Sequence, residues 1–175
     1  GEEPEGVRVR PDGQVVYVTC EGTNEVAVVD TTTYAVIGHL KMEGRPRAIE
    51  FTPDGRTAFV SNENGGSVSV VDAQAHKVTG VIAIPADPAA PTPPRPMGLA
   101  LSPDAKFLYV ALGRAKSVAV IDLAAGKAVR SFSDVGTRPW GIGISPDGTK
   151  VYTANGSSAD VSVIDAATGT VDRRI

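Results

Sequence analysis

Three things that the sequence has little of narrow the kinds of site it can encode. Cysteine occurs once, at Cys20, so no disulfide can form within the chain. The only histidines are His39 and His76, and neither stands at a metal-ligand spacing from another suitable side chain. No apolar run is long enough to cross a bilayer. The sequence therefore predicts no metal site and no membrane span, with structural roles for both histidines and for Cys20.

Motifs of common enzymes and of nucleic-acid-binding proteins are also missing. The net charge is -3, and no run of lysine and arginine with interleaved aromatics is present. No Gly-x-Ser-x-Gly motif, phosphate-binding loop or metal-ligand cluster occurs. We therefore expect no nucleic-acid partner, no cofactor and no catalytic residue within this chain.

What the sequence does contain is a fourfold internal repeat. A turn motif of Pro-Asp-Gly type recurs, and a strand ending in aspartate follows it at a constant distance of 19 residues from proline to aspartate. The turns are Pro11-Asp12-Gly13, Pro53-Asp54-Gly55, Pro103-Asp104-Ala105 and Pro146-Asp147-Gly148. The aspartates are Asp30, Asp72, Asp122 and Asp165. Since they recur in every unit, we assign them to turn structure, and we expect Ala105 to strain its turn or change its shape.

Each repeat predicts four antiparallel strands. Alternating apolar residues precede the turn, an aromatic and β-branched run follows it, and two further short runs complete about 43 residues. Four such strands match one blade of a β-propeller. The predicted fold is therefore all-β, a propeller domain spanning 1–175, with blades at approximately 2–44, 45–94, 95–137 and 138–175.

The repeat resembles the YVTN-type β-propeller family. The closest match runs from Pro139 to Asp165 and includes Val151-Tyr152-Thr153-Ala154-Asn155, whereas Cys20 and Leu112 replace the usual asparagine in two other units. The resemblance implies an extracytoplasmic protein, most often with seven blades, and so a periplasmic or extracellular location. The acidic start Gly1-Glu2-Glu3-Pro4 has no apolar signal region, which suggests a mature or trimmed chain.

Four repeats leave three architectures open. The chain could be a fragment of a larger propeller, a half-propeller that self-associates, or a four-bladed ring. The fragment is the favoured hypothesis, because unpaired blade faces expose apolar surface and tend to associate.

The candidate binding residues flank the proline that opens each blade. The residue before it is Arg45, Arg95 or Arg138 in three blades, and the residue after it is Arg47, Met97 or Trp140. Arginines gathered at the mouth of a central channel would bind a carboxylate or phosphate. The alternative is that each arginine bonds carbonyl groups between blades.

Two further features qualify this prediction. Arg8 and Glu50 occupy matching positions of adjacent innermost strands, which predicts an ion pair lining the channel. The segment 85–96 contains six prolines, which favours a stiff extended loop that either shapes the rim or is inert.

The functional hypothesis is a non-catalytic scaffold that binds a partner protein or a small anionic ligand at the channel mouth. One alternative is part of an enzyme propeller, lactonase-like or associated with haem or quinone, whose active residues lie in other blades. The other is a structural surface-layer repeat.

Overall fold

The computed structural model describes all 175 residues, and sixteen strands form four antiparallel sheets. The first blade has β1 (Pro4–Val9), β2 (Val15–Cys20), β3 (Glu25–Asp30) and β4 (Val36–Lys41). The second has β5 (Pro46–Phe51), β6 (Thr57–Asn62), β7 (Ser67–Asp72) and β8 (Lys77–Ala83). The third has β9 (Leu99–Leu101), β10 (Phe107–Ala111), β11 (Val118–Asp122) and β12 (Lys127–Phe132). The fourth has β13 (Pro139–Ile144), β14 (Lys150–Asn155), β15 (Asp160–Asp165) and β16 (Val171–Arg174).

In every sheet the strands lie in sequence order, each hydrogen-bonded to its chain neighbour. This confirms the predicted all-β architecture of four-stranded antiparallel blades. The blades group into two compact units, Gly1–Ile82 and Ala83–Ile175, here called unit 1 and unit 2. The only helical element is a single 3-10 turn at Gly113–Ala115, so no helix of the chain could cross a membrane.

The turn after the innermost strand has the same shape in all four blades. The Asp12 carboxylate accepts a hydrogen bond from the Gln14 amide at 3.0 Å, and Gly13 has a left-handed φ of 75°. Ala105 takes the same left-handed conformation, with φ 55°, and its amide donates to the Ser102 carbonyl at 2.8 Å. The third turn therefore keeps its shape, and its alanine bears the expected strain, because a Cβ is disfavoured there.

The aspartates that end the third strands are structural, as predicted. Asp30 Oδ1 accepts from the amides of Thr32 and Thr33 at 3.0 and 2.7 Å. Its three equivalents bond the amides of their own turns in the same way. These hydrogen bonds favour the ionised carboxylate, and with the added help of Lys150 the pKa of Asp165 falls to about 2.

The core of unit 1 is formed where the first blade packs on the second. Tyr17 is fully buried, its ring lies 5.0 Å from that of Phe51, and its hydroxyl lies 2.7 Å from His76 Nδ1. Burial raises the pKa of Tyr17 to about 12. Burial and the nearby Arg10 lower the pKa of His76, and this shift favours the neutral imidazole, which can accept a hydrogen bond. The structural role predicted for His76 is confirmed.

Unit 2 repeats this packing without a polar centre. Tyr109, the equivalent of Tyr17, lies 6.3 Å from Phe132 and joins a core with Val151 and Ile164 of the fourth blade. Tyr152, at the same position of the fourth blade, is 39% exposed. The interblade core is therefore a property of the repeat, and the pairing of tyrosine with histidine is particular to unit 1.

Candidate functional site

In the first, second and fourth blades the backbone fixes the residue before the opening proline in one conformation. Arg45 and Arg138 both take a left-handed φ, 49° and 62°. The Arg45 carbonyl accepts a hydrogen bond from the backbone amide of Glu63 at 2.9 Å. The Arg138 carbonyl accepts one from the backbone amide of Gly156 at 3.1 Å. Glu3 is held in the same way by Glu21, so this backbone geometry does not depend on the side chain. The repeat therefore presents a side chain at this point, and the sequence decides which one.

Two glycines set the position of the residue after the proline. A Cβ at Gly6 would overlap the carbonyl oxygen of Arg47, and one at Gly98 would overlap that of Trp140. The Gly98 amide donates to the Trp140 carbonyl at 2.9 Å, and the Thr19 hydroxyl donates to the Arg47 carbonyl at the same distance. Close approach of neighbouring innermost strands therefore holds Arg47 and Trp140 in equivalent places within their units.

In unit 1 these positions carry a closed network of ion pairs. Arg47 contacts three carboxylates at 2.7 Å each, those of Glu5, Glu21 and Glu63. Arg45 forms a two-pronged contact with Glu21 at 2.9 and 3.2 Å, and lies 3.5 Å from Glu63. Two guanidinium groups therefore face three carboxylates, and the cluster has a net charge of minus one.

The electrostatics of this cluster oppose anion binding. The hydrogen bond from Arg45 holds the pKa of Glu21 below its ordinary value, and Glu21 in turn raises the pKa of Arg45. Both charges are therefore stabilised by each other across the working pH range. An incoming anion would have to displace an internal carboxylate, so the anion site predicted at Arg45 and Arg47 has no unneutralised charge to offer.

The ion pair predicted between Arg8 and Glu50 is present in unit 1, with 2.9 Å between Arg8 Nη2 and Glu50 Oε1. Burial raises the pKa of Glu50, and Arg8 partly opposes this shift. The pair joins the innermost strands of the first and second blades. Its place in a central channel stays a prediction.

In unit 2 the same repeat positions carry an open pair. The Arg138 guanidinium lies over the Trp140 ring, 4.6 Å from its centroid, and Trp140 is 48% exposed. Arg138 forms no ion pair with a carboxylate, in contrast to Arg45 and Arg47. A cation stacked on an aromatic face keeps its outer donors available to a ligand.

The missing counter-ions have a simple cause in the sequence. Counting from the Pro-Asp turn, Gly113 and Gly156 stand where unit 1 has Glu21 and Glu63. An open hollow of about 480 Å³ surrounds Trp140 and Gly156. Its one acidic side chain is Asp160, which accepts a hydrogen bond from Asn155 at 2.6 Å and lies 3.6 Å from Arg174. Arg138 of unit 2 therefore lacks the glutamate partners of unit 1, because glycine stands at both of their repeat positions.

The other predicted residues of unit 2 contribute less surface. Met97 is only 8% exposed and lies against Gly113, so its side chain packs beneath the surface, and its contact with a ligand stays a prediction. Arg95 is half-buried in the segment before β9. No three side chains among His, Cys, Asp and Glu are grouped to hold a metal ion. Cys20 is buried at the end of β2, as expected.

Comparison with known proteins identifies the family. The family model described as lactonase, 7-bladed beta-propeller, matches residues 6–174. The chain belongs to this family. The propeller fold is thereby confirmed, and the finer YVTN-type assignment stays a prediction.

A solved structure named Kuenenia stuttgartiensis hydrazine synthase resembles the chain with a TM-score of 0.86 and 31% sequence identity. The alignment covers 98% of this chain and 48% of the other, so the chain spans about half the length of that neighbour. The search of curated proteins finds no significant match.

Sequence reasoning identified the arginine positions but missed the residues that distinguish them. Glu21 and Glu63 neutralise one pair, and Gly113 and Gly156 leave the other open. The sequence signal is a single repeat position, which is glutamate in the first two blades and glycine in the last two. Its meaning depends on the side chains meeting in space, which only the structure shows.

Proposed function

We propose that the chain is the carboxylate-binding part of a propeller in the lactonase family, and that its recognition surface is the Arg138–Trp140 pair. The observation that carries this proposal is the stacked Arg138 guanidinium without a carboxylate partner beside a half-exposed tryptophan. Arginine and tryptophan are the side chains most often found at the energetic centre of binding surfaces.

Unit 1 supplies the internal precedent for the contact. There the Glu21 carboxylate meets the Arg45 guanidinium with two nitrogen–oxygen distances of 2.9 and 3.2 Å. In unit 2, Gly113 stands at the position equivalent to Glu21, so no carboxylate is present there. A ligand carboxylate is expected to replace the absent side chain on Arg138, and an apolar or aromatic portion of the same ligand would lie against Trp140.

Trp140 makes the test direct, because it is the only tryptophan in the chain. Benzoate titrated into the protein is expected to change the tryptophan emission in a saturable way. Arg138→Ala should weaken the affinity about tenfold, the loss expected when about 1.4 kcal/mol of binding free energy is removed. Benzylamine, which is a cation at neutral pH and lacks the carboxylate, serves as the ligand control.

A matched pair of variants at Gly156 sharpens the result. A Cβ at Gly156 meets nothing closer than 3.9 Å, so a longer side chain is tolerated. Gly156→Glu restores the counter-ion of unit 1 and should abolish benzoate binding, whereas Gly156→Gln keeps similar bulk without charge and should retain it. Equal binding by these two variants, or undiminished binding by Arg138→Ala, would overturn the proposal.

A second function, lactone hydrolysis, is favoured by the family match alone. Ring opening of a lactone yields a hydroxy acid, so a carboxylate-binding surface is compatible with binding the product. The test is release of acid from simple γ- and δ-lactones, followed by titration at constant pH. Hydrolysis above the buffer rate would support it, and no hydrolysis by the complete protein would exclude it.

We also infer an extracytoplasmic location, periplasmic or extracellular, from the resemblance of Val151-Tyr152-Thr153-Ala154-Asn155 to the YVTN repeat. Fractionation of cells that express the complete protein tests this inference. Recovery in the cytoplasmic fraction would contradict it.

A further inference from the structure

A second concave site lies within unit 2, away from the arginine positions of the fourth blade. It is a cavity of about 270 Å³ between the proline-rich segment 85–96 and the strands β11 and β12 of the third blade. Its walls are mainly apolar and include Ile84, Pro94, Leu112, Ala115, Ala119 and Val129. The proline-rich segment therefore forms one wall of an apolar cavity.

The repeat explains why the space exists in this blade. In the second and fourth blades the equivalent position holds an asparagine that donates to a serine, Asn62 to Ser69 at 2.9 Å and Asn155 to Ser162 at 3.0 Å. In the third blade the asparagine is Leu112, and the serine is replaced by alanine. A hydrogen-bonded polar pair has thus been exchanged for an apolar floor.

The lining also contains polar side chains, among them Thr92, Ser117 and Ser131. The side-chain oxygen of Thr92, in the proline-rich segment, is buried and has no hydrogen-bond partner. A buried hydroxyl without a partner carries a desolvation cost that a suitable ligand would remove. The charged groups of the lining are those of Asp87 and Arg130, and the Arg130 guanidinium is already bonded to the Ala167 carbonyl at 2.7 Å.

We propose that this cavity binds a small uncharged molecule that is mainly apolar and has one hydrogen-bonding group directed at Thr92. Its size follows from the volume, because a cavity of about 150 Å³ lined by apolar side chains holds benzene, with six heavy atoms. The present cavity therefore suits about eight to ten heavy atoms. The site is independent of the carboxylate surface at Arg138, and neither proposal needs the other.

Two probes of equal size test the chemistry. Benzyl alcohol and ethylbenzene each have eight heavy atoms, and only the alcohol can bond the Thr92 hydroxyl. In two-dimensional amide NMR spectra, both are expected to shift resonances of residues 84–94 and of β11 and β12 in a saturable manner. The alcohol should bind about three- to tenfold more tightly, the contribution of one neutral hydrogen bond.

The near-isosteric variant Thr92→Val isolates the polar contact. It should remove the advantage of the alcohol and leave ethylbenzene binding unchanged or stronger. Because valine matches threonine in shape, this variant is expected to fold, and the comparison of two probes on one protein does not depend on its stability.

A double variant, Leu112→Asn with Ala119→Ser, replaces the apolar floor of the cavity by a hydrogen-bonded polar pair. It recreates the asparagine and serine of the second and fourth blades, so it should fold and lose both probes. Absence of saturable shifts in the unmodified chain up to the solubility limit would overturn the proposal. So would undiminished binding of both probes by the double variant, provided that its spectrum is that of a folded protein.

Discussion

The two units place arginine at equivalent points of the repeat and use it in opposite ways. In unit 1, Arg45 and Arg47 are bound by internal glutamates in a cluster of net charge minus one. In unit 2, Arg138 is stacked on Trp140 and has no carboxylate partner. The scaffold that carries both is the same, down to the left-handed backbone before the proline.

A recurring residue becomes a binding group through the residues around it. A propeller repeat holds side chains in the same places in every blade, so one substitution in a partner column changes a structural ion pair into a free charge. Replacing glutamate by glycine at that column costs unit 2 an internal contact and leaves a donor for an external anion.

The largest expected effect is on stability, and it separates the two arginine positions. Arg47→Ala removes the guanidinium that three glutamates share, leaving Glu21 and Glu63 to repel each other while their side chains are about 15% exposed. We expect a loss of about 1–3 kcal/mol in the free energy of unfolding, between the values for exposed and buried ion pairs. Arg138→Ala should lose less than about 1 kcal/mol, the worth of an exposed cation–π contact. Urea unfolding of both variants decides, and equal losses would erase the distinction.

The converse change should convert unit 1 into a binding surface. Glu21→Gln with Glu63→Gln removes two of the three negative charges that face Arg45 and Arg47. This double variant is expected to gain a second benzoate site, with affinity within about tenfold of the first, because the same bidentate donors become available. Isothermal titration calorimetry counts the sites. A stoichiometry that stays at one would show that neutralisation is not what closes unit 1.

A smaller effect tests the equivalence of the turns across the two units. Ala105→Gly relieves the left-handed alanine in unit 2 and should stabilise the protein by about 1 kcal/mol. Gly13→Ala makes the reverse change in unit 1, where an added Cβ would meet nothing within 4 Å, so its cost comes from the backbone alone. Thermal unfolding measures both. Shifts of the same sign would contradict the common turn geometry.

The smallest expected effect is a pH dependence confined to unit 1. The pKa of His76 is lowered in the folded state, so the unfolded chain binds more protons as the pH falls. Stability is therefore full above the unfolded value near 6.5 and declines as the pH falls through that value towards the lower folded pKa. The decline should be absent in His76→Gln. Urea unfolding at pH 8.0 and 5.5 measures the difference, and an equal decline in that variant would assign it to other groups.

Much of the fold could be predicted because the same motifs occur in all four repeat units. Four turns, each at the same distance from the aspartate that ends a strand, identified every blade and its strand order. The proline-rich segment 85–96 directly follows the boundary between Ile82 and Ala83, but its composition alone did not predict the division into two units.

The site was predictable only in part. Local sequence indicated which residues flank the proline, and the positions of Arg45 and Arg138 follow from it. Glu63 lies 16 residues from Arg47, and Glu21 lies 24 residues from Arg45. Which arginine is neutralised therefore depends on side chains that are distant in the chain, and on the carbonyl contacts of Gly6 and Gly98. The cavity beneath segment 85–96 was missed because two substitutions, at Leu112 and Ala119, gain meaning only when the loop covers them.

The most direct test of the central claim observes the arginines themselves. In the unmodified protein, the guanidinium Nε–Hε resonances of Arg138, Arg45 and Arg47 can be followed by NMR while benzoate is added. We expect a saturable shift for Arg138 and none for Arg45 or Arg47. A shift at Arg45 or Arg47 with Arg138 unmoved would contradict it.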